Sequence, residues 1–209
     1  MATVTRPRPS VWNVPNQLTL ARFVLALILF DLIAVESWGW CLAVFLVAAF
    51  TDWLDGYLAR LHKLTSTLGR NLDPLVDKLL MCGCYIFLMP LGTRERWLMP
   101  WMVTVVVGRE MVITSLRAYM ETVGARFGAD WLGKLKMGLQ CAAVIAVFLE
   151  LMSRPEWSEA LAFGRAWLPL VRDVLLYAML ASTTLSGLQY LWRAASVYNA
   201  DISPSEPEA

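Results

Sequence analysis

Apolar residues dominate six stretches of this chain, approximately 17–36, 39–59, 74–92, 97–120, 133–152 and 168–194, and polar residues gather in the short segments between them. A helix needs about 20 residues to cross a hydrocarbon core of roughly 30 Å, and the stretches fall near that length. The third is short and the sixth long, which predicts unequal tilts. Lipid offers backbone N–H and C=O groups no partners, so each stretch is expected as a helix. The pattern predicts an all-α integral membrane protein with six transmembrane helices, forming a single domain over 1–200 without an internal repeat. Residues 201–209 contain two Pro and two Glu and are expected as a disordered tail.

Composition agrees. Apolar residues make up 58% of the 209, against about 45–50% in soluble domains. A net charge of +1 leaves no basic field for a nucleic-acid backbone. Of the ten tryptophans, Trp12, Trp38, Trp40, Trp97, Trp101, Trp157 and Trp167 lie near expected helix ends, as in an interfacial belt. Arg6 and Arg8 precede the first stretch, Arg60, Lys63 and Arg70 follow the second, and Arg126, Lys134 and Lys136 follow the fourth. The opposite loops hold Arg94 and Arg96, then Arg154 and Arg165 diluted by Glu156 and Glu159. By the positive-inside rule both termini face the cytoplasm, in a multi-pass protein of the cell (inner) membrane. The first stretch is too long for a signal-peptide core and lacks a small-residue cleavage site, so it is expected as a retained span. Cys41, Cys82, Cys84 and Cys141 all fall in predicted spans; Cys82 and Cys84 are too close for the usual zinc pair, and free thiols are expected.

Chemistry concentrates in Thr51-Asp52-Trp53-Leu54-Asp55-Gly56-Tyr57-Leu58-Ala59-Arg60 and Gly69-Arg70-Asn71-Leu72-Asp73-Pro74-Leu75-Val76-Asp77. Asp52 and Asp55 are three apart and share a helix face; Asp73 and Asp77, four apart, do likewise. Four carboxylates at one membrane edge repel one another, and an ionisable group in a span already costs a few kcal/mol. A cation should neutralise them, and an all-oxygen donor set favours Mg²⁺, Mn²⁺ or Ca²⁺ over Zn²⁺. Gly56 and Ala59 keep one face narrow for a close-approaching phosphate, and Arg60 is a forked phosphate donor. Together they describe a site for a lipid-linked diphosphate. Taken singly, Asp73 before Pro74 reads as a helix N-cap, Asp52 as an intramembrane hydrogen-bonding residue, and Gly56 as a packing position. One shared site accounts for all of them at once. His62, the sole histidine, is expected in a solvated loop, and Asp31 buried against another helix.

The string Asp52-x2-Asp55-Gly56-x2-Ala59-Arg60-x8-Gly69-x3-Asp73-x3-Asp77 resembles the complete signature of the CDP-alcohol phosphotransferases. The resemblance implies that family's six-helix membrane fold, a homodimer, and a site for two divalent ions (Mg²⁺ or Mn²⁺) open to the cytoplasmic face. By that likeness Asp52, Asp55 and Asp73 hold the metals, and Asp77 is the general base and a further metal contact. Gly56, Arg60 and Ser66 would line the CDP moiety and its diphosphate, beside Ala59 and Gly69. Pro15-Asn16-Gln17-Leu18-Thr19-x2-Arg22 resembles the family's other nucleotide-side contact, through Asn16, Thr19 and Arg22; Asn16 and Thr19 are equally natural helix-entry residues.

Gly108-Arg109-Glu110-x3-Thr114-Ser115-Leu116-Arg117 and Gly133-Lys134-x-Lys136-x3-Gln140 look like blocks of the branch that makes phosphatidylglycerophosphate. The likeness runs from about 13 to 142, with Met137 where that branch has threonine. It implies CDP-diacylglycerol as donor and glycerol 3-phosphate as acceptor, the latter's phosphate met by Arg109, Arg117, Lys134 and Lys136. Arg109 lies well inside a span, which is costly without a partner or ligand. Glu110 is its neighbour in sequence but not on its helix face, so a local pair is not expected. An interhelical salt bridge is the other reading of Arg109, and membrane anchoring of Lys134 and Lys136. Rival functions are the same transfer to phosphatidylglycerol, inositol phosphate or serine, a divalent-cation transporter, and a silent lipid-binding homologue.

Overall fold

A computed structural model of the protein describes residues 14–62, 67–122, 131–155 and 162–202, with backbone alone at 14–16, 52–62, 67–74, 77, 121, 132, 162 and 197–202. Six helices follow one another: α1 (Val14–Ala34), α2 (Trp38–His62), α3 (Thr67–Arg94), α4 (Pro100–Thr122), α5 (Trp131–Met152) and α6 (Leu168–Ile202). A short 3-10 turn, Ala162–Gly164, precedes α6, and the described residues contain no strand. Each helix coincides with one predicted stretch, but three ends differ. α3 begins at Thr67, so Asp73 and Pro74 lie inside the helix and Asp73 is not its N-cap. His62 closes α2 instead of lying in a loop. Asp201 and Ile202, expected in the tail, belong to α6, and residues 203–209 lie outside the described residues.

Gln17–Ala34, Gly133–Met152 and Leu168–Ser196 are each long and apolar enough to cross a membrane, while the apolar run of α2, Trp38–Thr51, is shorter. Charged residues interrupt the others: Asp52 to Lys78 across α2 and α3, and Arg109, Glu110 and Arg117 in α4. Leu20, Val24, Leu27 and Ile28 on α1, and Leu170, Val174, Leu185, Leu188 and Leu191 on α6, are exposed. Contiguous apolar faces of that kind do not persist in water. The chain is a membrane protein.

The chain packs as two compact units, Met1–Phe87 and Leu88–Ala209, divided within α3. In the first, α1 packs along α2. Ala26, Leu29, Phe30 and Ile33 form one buried stripe of α1, and Cys41, Phe45 and Ala48 one of α2, each at the three- and four-residue spacing of a helix face. Gly83 makes room for Phe30: a Cβ there would lie 2.0 Å from its ring. That ring stacks on Phe87, centroids 4.8 Å apart. Asp31, expected in the interior, is exposed, because it lies on the face of α1 opposite the buried stripe of Ala26, Leu29, Phe30 and Ile33. All four cysteines are free thiols.

In the second unit α6 packs on both α5 and α4. Its buried stripe runs Arg172, Leu176, Met179, Thr183, Ser186, Tyr190 and Ala194. Small polar residues there permit close helix approach where lipid gives no hydrophobic drive. An ion network joins the segment before α4 to the end of α5 and the start of α6. Arg154 grips Glu95 with both terminal nitrogens, at 2.8 and 2.6 Å, and reaches Glu150 at 3.2 Å. Arg172 donates to Glu150 at 3.0 Å and lies over the Trp97 ring. Arg165 donates to the Ser153 carbonyl at 2.6 Å. Trp97 and Trp38 are buried and so are not interfacial anchors; Trp97 Nε1 donates to Glu95. Trp40, Trp101 and Trp167 are exposed, as a belt requires, and Trp12 and Trp157 lie outside the described residues.

Two helices end on the same device. After α1, Ser37 N–H bonds the Leu32 carbonyl and Glu36 N–H that of Ile33; after α3, Trp97 N–H bonds Gly92 and Arg96 N–H bonds Thr93. These are Schellman caps, and their left-handed residues are Glu36 (φ 58°) and Arg96 (φ 67°) instead of glycine. A side chain in that region costs about 1 kcal/mol. Arg96→Gly is therefore expected to raise the thermal unfolding midpoint in detergent.

Candidate active site

The acidic motif spans two helices. Asp52, Asp55, Gly56, Ala59 and Arg60 lie on α2 and Gly69, Asp73 and Asp77 on α3. Helical backbone at both aspartate pairs is what their three- and four-residue spacings need to share a face. The side chains of these eight residues, and Ser66 altogether, lie outside the described residues, as does the side chain of Asn16. Pro74, inside α3, has no N–H for the carbonyl four residues back.

At the entry to α1, Thr19 and Arg22 are three residues apart and both buried, at 3% and 1% exposure. α1 starts at Val14, which puts Thr19 in the second turn and removes its helix-entry role. A guanidinium this deep is expensive unless hydrogen-bonded.

The second unit gathers a basic cluster at the end of its helices opposite the Glu95–Arg154 network. Arg109 Nη1 donates to Glu110 Oε1 at 3.1 Å and Nη2 to Ser186 Oγ at 2.9 Å. Lys136, from α5, donates to the same Glu110 oxygen. The side chains of Arg109, Glu110 and Lys136 are 12%, 10% and 5% exposed. Arg117 Nη2 donates to Tyr190 Oη at 2.6 Å, and its guanidinium lies 5.3 Å from that ring's centroid. Lys134, two residues from Lys136, is exposed.

The arrangement corrects one expectation. Arg109 and Glu110 do pair locally, at 3.1 Å, while each also reaches a different neighbouring helix: Glu110 meets Lys136 on α5, and Arg109 meets Ser186 on α6. Arg109's ion pair is therefore within α4 and not the interhelical salt bridge of the alternative reading, and Lys136 shares its carboxylate. Among the described residues Glu110 is the carboxylate that Arg109 and Lys136 share, and Arg117 makes no ion pair. A cluster with this excess of positive charge suits an anion, above all a phosphate, which takes several charge-assisted bonds at once. Ser186 and Tyr190 were not singled out by sequence. Their four-residue spacing in an apolar stretch is a faint signal, since small polar residues in spans commonly serve packing alone.

Comparison with known proteins bears on the chain as a whole. Residues 12–193 match the family model for CDP-alcohol phosphatidyltransferase. The chain is 32% identical over 207 residues to CDP-diacylglycerol–glycerol-3-phosphate 3-phosphatidyltransferase of Bacillus subtilis (strain 168), covering 90% of this chain and 100% of the relative. It is 33% identical over 184 residues to the protein of that name from Yersinia pestis (strain Pestoides F), covering 86% and 93%. A chloroplastic/mitochondrial form from Arabidopsis thaliana is 33% identical over 167 residues, 74% of this chain and 56% of the relative. With a helical membrane architecture, the whole aspartate motif on α2 and α3, and a family match across most of its length, this chain belongs to the CDP-alcohol phosphatidyltransferases.

Proposed function

We propose that this enzyme transfers the phosphatidyl group of CDP-diacylglycerol to the 1-hydroxyl of glycerol 3-phosphate, giving phosphatidylglycerophosphate and CMP. The relatives named for that reaction support it. The observation that carries the acceptor class is that Arg109 and Lys136 share one carboxylate, Glu110, while Arg117 is held on the neutral Tyr190. An uncharged alcohol would need no such site.

Asp52, Asp55, Asp73 and Asp77 would hold two divalent ions, Mg²⁺ or Mn²⁺, and their fit is one of donor chemistry, since every donor is a carboxylate oxygen. When bound, the ions neutralise the diphosphate and the oxygen on which CMP departs. Arg60 and Ser66 donate to the diphosphate and Gly56, Ala59 and Gly69 leave room for it, with Asn16, Thr19 and Arg22 on the nucleotide side. Asp77 accepts the proton of the acceptor's 1-hydroxyl. That oxygen bonds to the lipid-side phosphorus as the bond to the CMP oxygen breaks. Arg109, Arg117, Lys134 and Lys136 hold the acceptor phosphate, so the reacting hydroxyl is positioned by a group remote from it. A membrane-embedded catalytic domain of six spans over 1–200, a homodimer, and cytoplasmic placement of the site and both termini in the inner membrane complete the reading. The last rests on the loop Arg and Lys distribution.

A panel of labelled acceptors tests it. Purified protein supplied with CDP-diacylglycerol and Mg²⁺ or Mn²⁺ is expected to release CMP and form lipid product with glycerol 3-phosphate. Transfer to phosphatidylglycerol, inositol phosphate or serine instead would reassign the acceptor. Metal flux into liposomes without nucleotide would replace the enzyme by a transporter.

A further inference from the structure

On the proposed reading Arg109 and Arg117 meet the acceptor's phosphate, and what holds these two flexible side chains in place is a separate question. We propose that one face of α6, formed by Ser186, Gly187 and Tyr190, is a positioning platform that sets both arginines for the anionic acceptor. The three residues occupy positions i, i+1 and i+4 of one helix, and Ser186 and Tyr190 are buried.

Each makes a distinct contact. Ser186 Oγ accepts from Arg109 Nη2 at 2.9 Å and itself donates to the Thr183 carbonyl at 3.1 Å. That second bond turns the hydroxyl so that its lone pairs face the guanidinium. Gly187 lies under the Arg109 stem: a Cβ there would stand 3.2 Å from Arg109 Cγ and 4.0 Å from Nε. Any side chain at that position pushes Arg109 off its present path. Tyr190 serves both arginines, accepting from Arg117 at 2.6 Å while its ring centroid lies 5.3 Å from the Arg117 guanidinium carbon and 6.0 Å from that of Arg109.

The contacts fix orientation without consuming the charge. A guanidinium has five donors; Arg109 gives one to Glu110 and one to Ser186, and Arg117 gives one to Tyr190. Hydroxyls and a ring face carry no formal charge, so Arg117 keeps its cation available for a phosphate. Carboxylates in their place would have neutralised the site. Arginine loses considerable rotamer freedom when it binds a ligand, and a platform that restricts it beforehand lowers that cost for the acceptor alone.

Steady-state kinetics of the full-length enzyme, with each substrate varied in turn, test this. Tyr190→Phe keeps the ring and removes the acceptor oxygen, Ser186→Ala removes the other, and Gly187→Ala adds the obstructing methyl. Tyr190→Phe and Ser186→Ala are each expected to raise KM for glycerol 3-phosphate by about ten-fold, the loss of one bond to a charged group, and Gly187→Ala, which displaces the Arg109 stem without removing a bond, by a smaller factor, while KM for CDP-diacylglycerol stays at the wild-type value. Unchanged acceptor KM in the folded variants would overturn the platform, and so would an equal rise in both KM values or a fall in unfolding temperature with kinetics intact. Three separate substitutions keep the test open if one of them misfolds. Wild-type enzyme that transfers nothing to glycerol 3-phosphate would instead sink the proposed function.

Discussion

Asp77→Asn is expected to lower CMP release from CDP-diacylglycerol and glycerol 3-phosphate by about 10³-fold, within the range of a positioned general base. The amide has nearly the shape of the carboxylate but neither accepts a proton nor carries negative charge for a cation. Asp77 lies one helical turn beyond Asp73 on α3. Asp73→Asn on the same helix is expected to depend differently on metal: on the proposed roles it weakens a ligand and retains the base, so raising Mg²⁺ or Mn²⁺ should recover part of its lost rate. Asp77→Asn should not recover, because added metal supplies no proton acceptor. Near-wild-type turnover by folded Asp77→Asn enzyme would remove the residue as base.

Glu150→Leu is expected to destabilise the second unit by about 2 kcal/mol, the cost of a lost buried hydrogen-bonded charge contact, because Arg172 keeps only the half-exposed Asp173 carboxylate at 2.9 Å and Arg154 keeps Glu95. Glu150 takes bonds from Arg154 and Arg172, and both the Glu150 and Arg172 side chains are only 9% exposed. The measurement is the unfolding midpoint in detergent, with Glu150→Gln costing less because an amide oxygen still accepts. The same network gives a pH dependence. Glu95 lies outside the helices, and Arg154's hydrogen bond, ahead of other influences, holds its carboxyl below the ordinary 4.5. Arg154 in return is held protonated, first by that bond. A depressed carboxylate contributes stability above its unfolded pKa and loses it as pH falls through the folded one. The unfolding midpoint should therefore drop as pH is taken below 4.5, and Glu95→Gln should flatten that part of the profile. An unaltered acid limb in Glu95→Gln would remove this pair from the acid response.

Much of the fold was legible in the chain. Lipid imposes a length and a composition on any helix that crosses it, so six apolar stretches announced six helices, though the start of α3 and the end of α6 lie a full turn or more beyond the apolar runs. The misplaced ends have local causes. Asp73-Pro74 has the composition of a helix start, but α3 continues through it from Thr67, since proline forbids a bond without forbidding the helix around it. Asp31 looked interior because it sits in an apolar run, yet it falls on the face of α1 opposite Ala26, Leu29, Phe30 and Ile33. Tryptophan near a helix end is a weak guide to an interface: Trp97 is drawn inward by the Glu95 carboxylate and the Arg172 guanidinium.

The candidate site divides along the same line. Spacing along one helix is set by 3.6 residues per turn, so it could be read from the order of residues alone that Asp52 and Asp55, and Asp73 and Asp77, share helical faces. The family resemblance came from that same string. Contacts between helices have no such rule, because they depend on which faces meet and at what register. That Glu110 is shared by Arg109 and Lys136, that Glu150 joins Arg154 to Arg172, and that Tyr190 lies beneath two arginines was decided by how α4, α5 and α6 pack. The chain by itself determined its helices and which residues are costly to bury; the tertiary structure chose their partners, because only packing brings residues tens of positions apart within hydrogen-bonding distance.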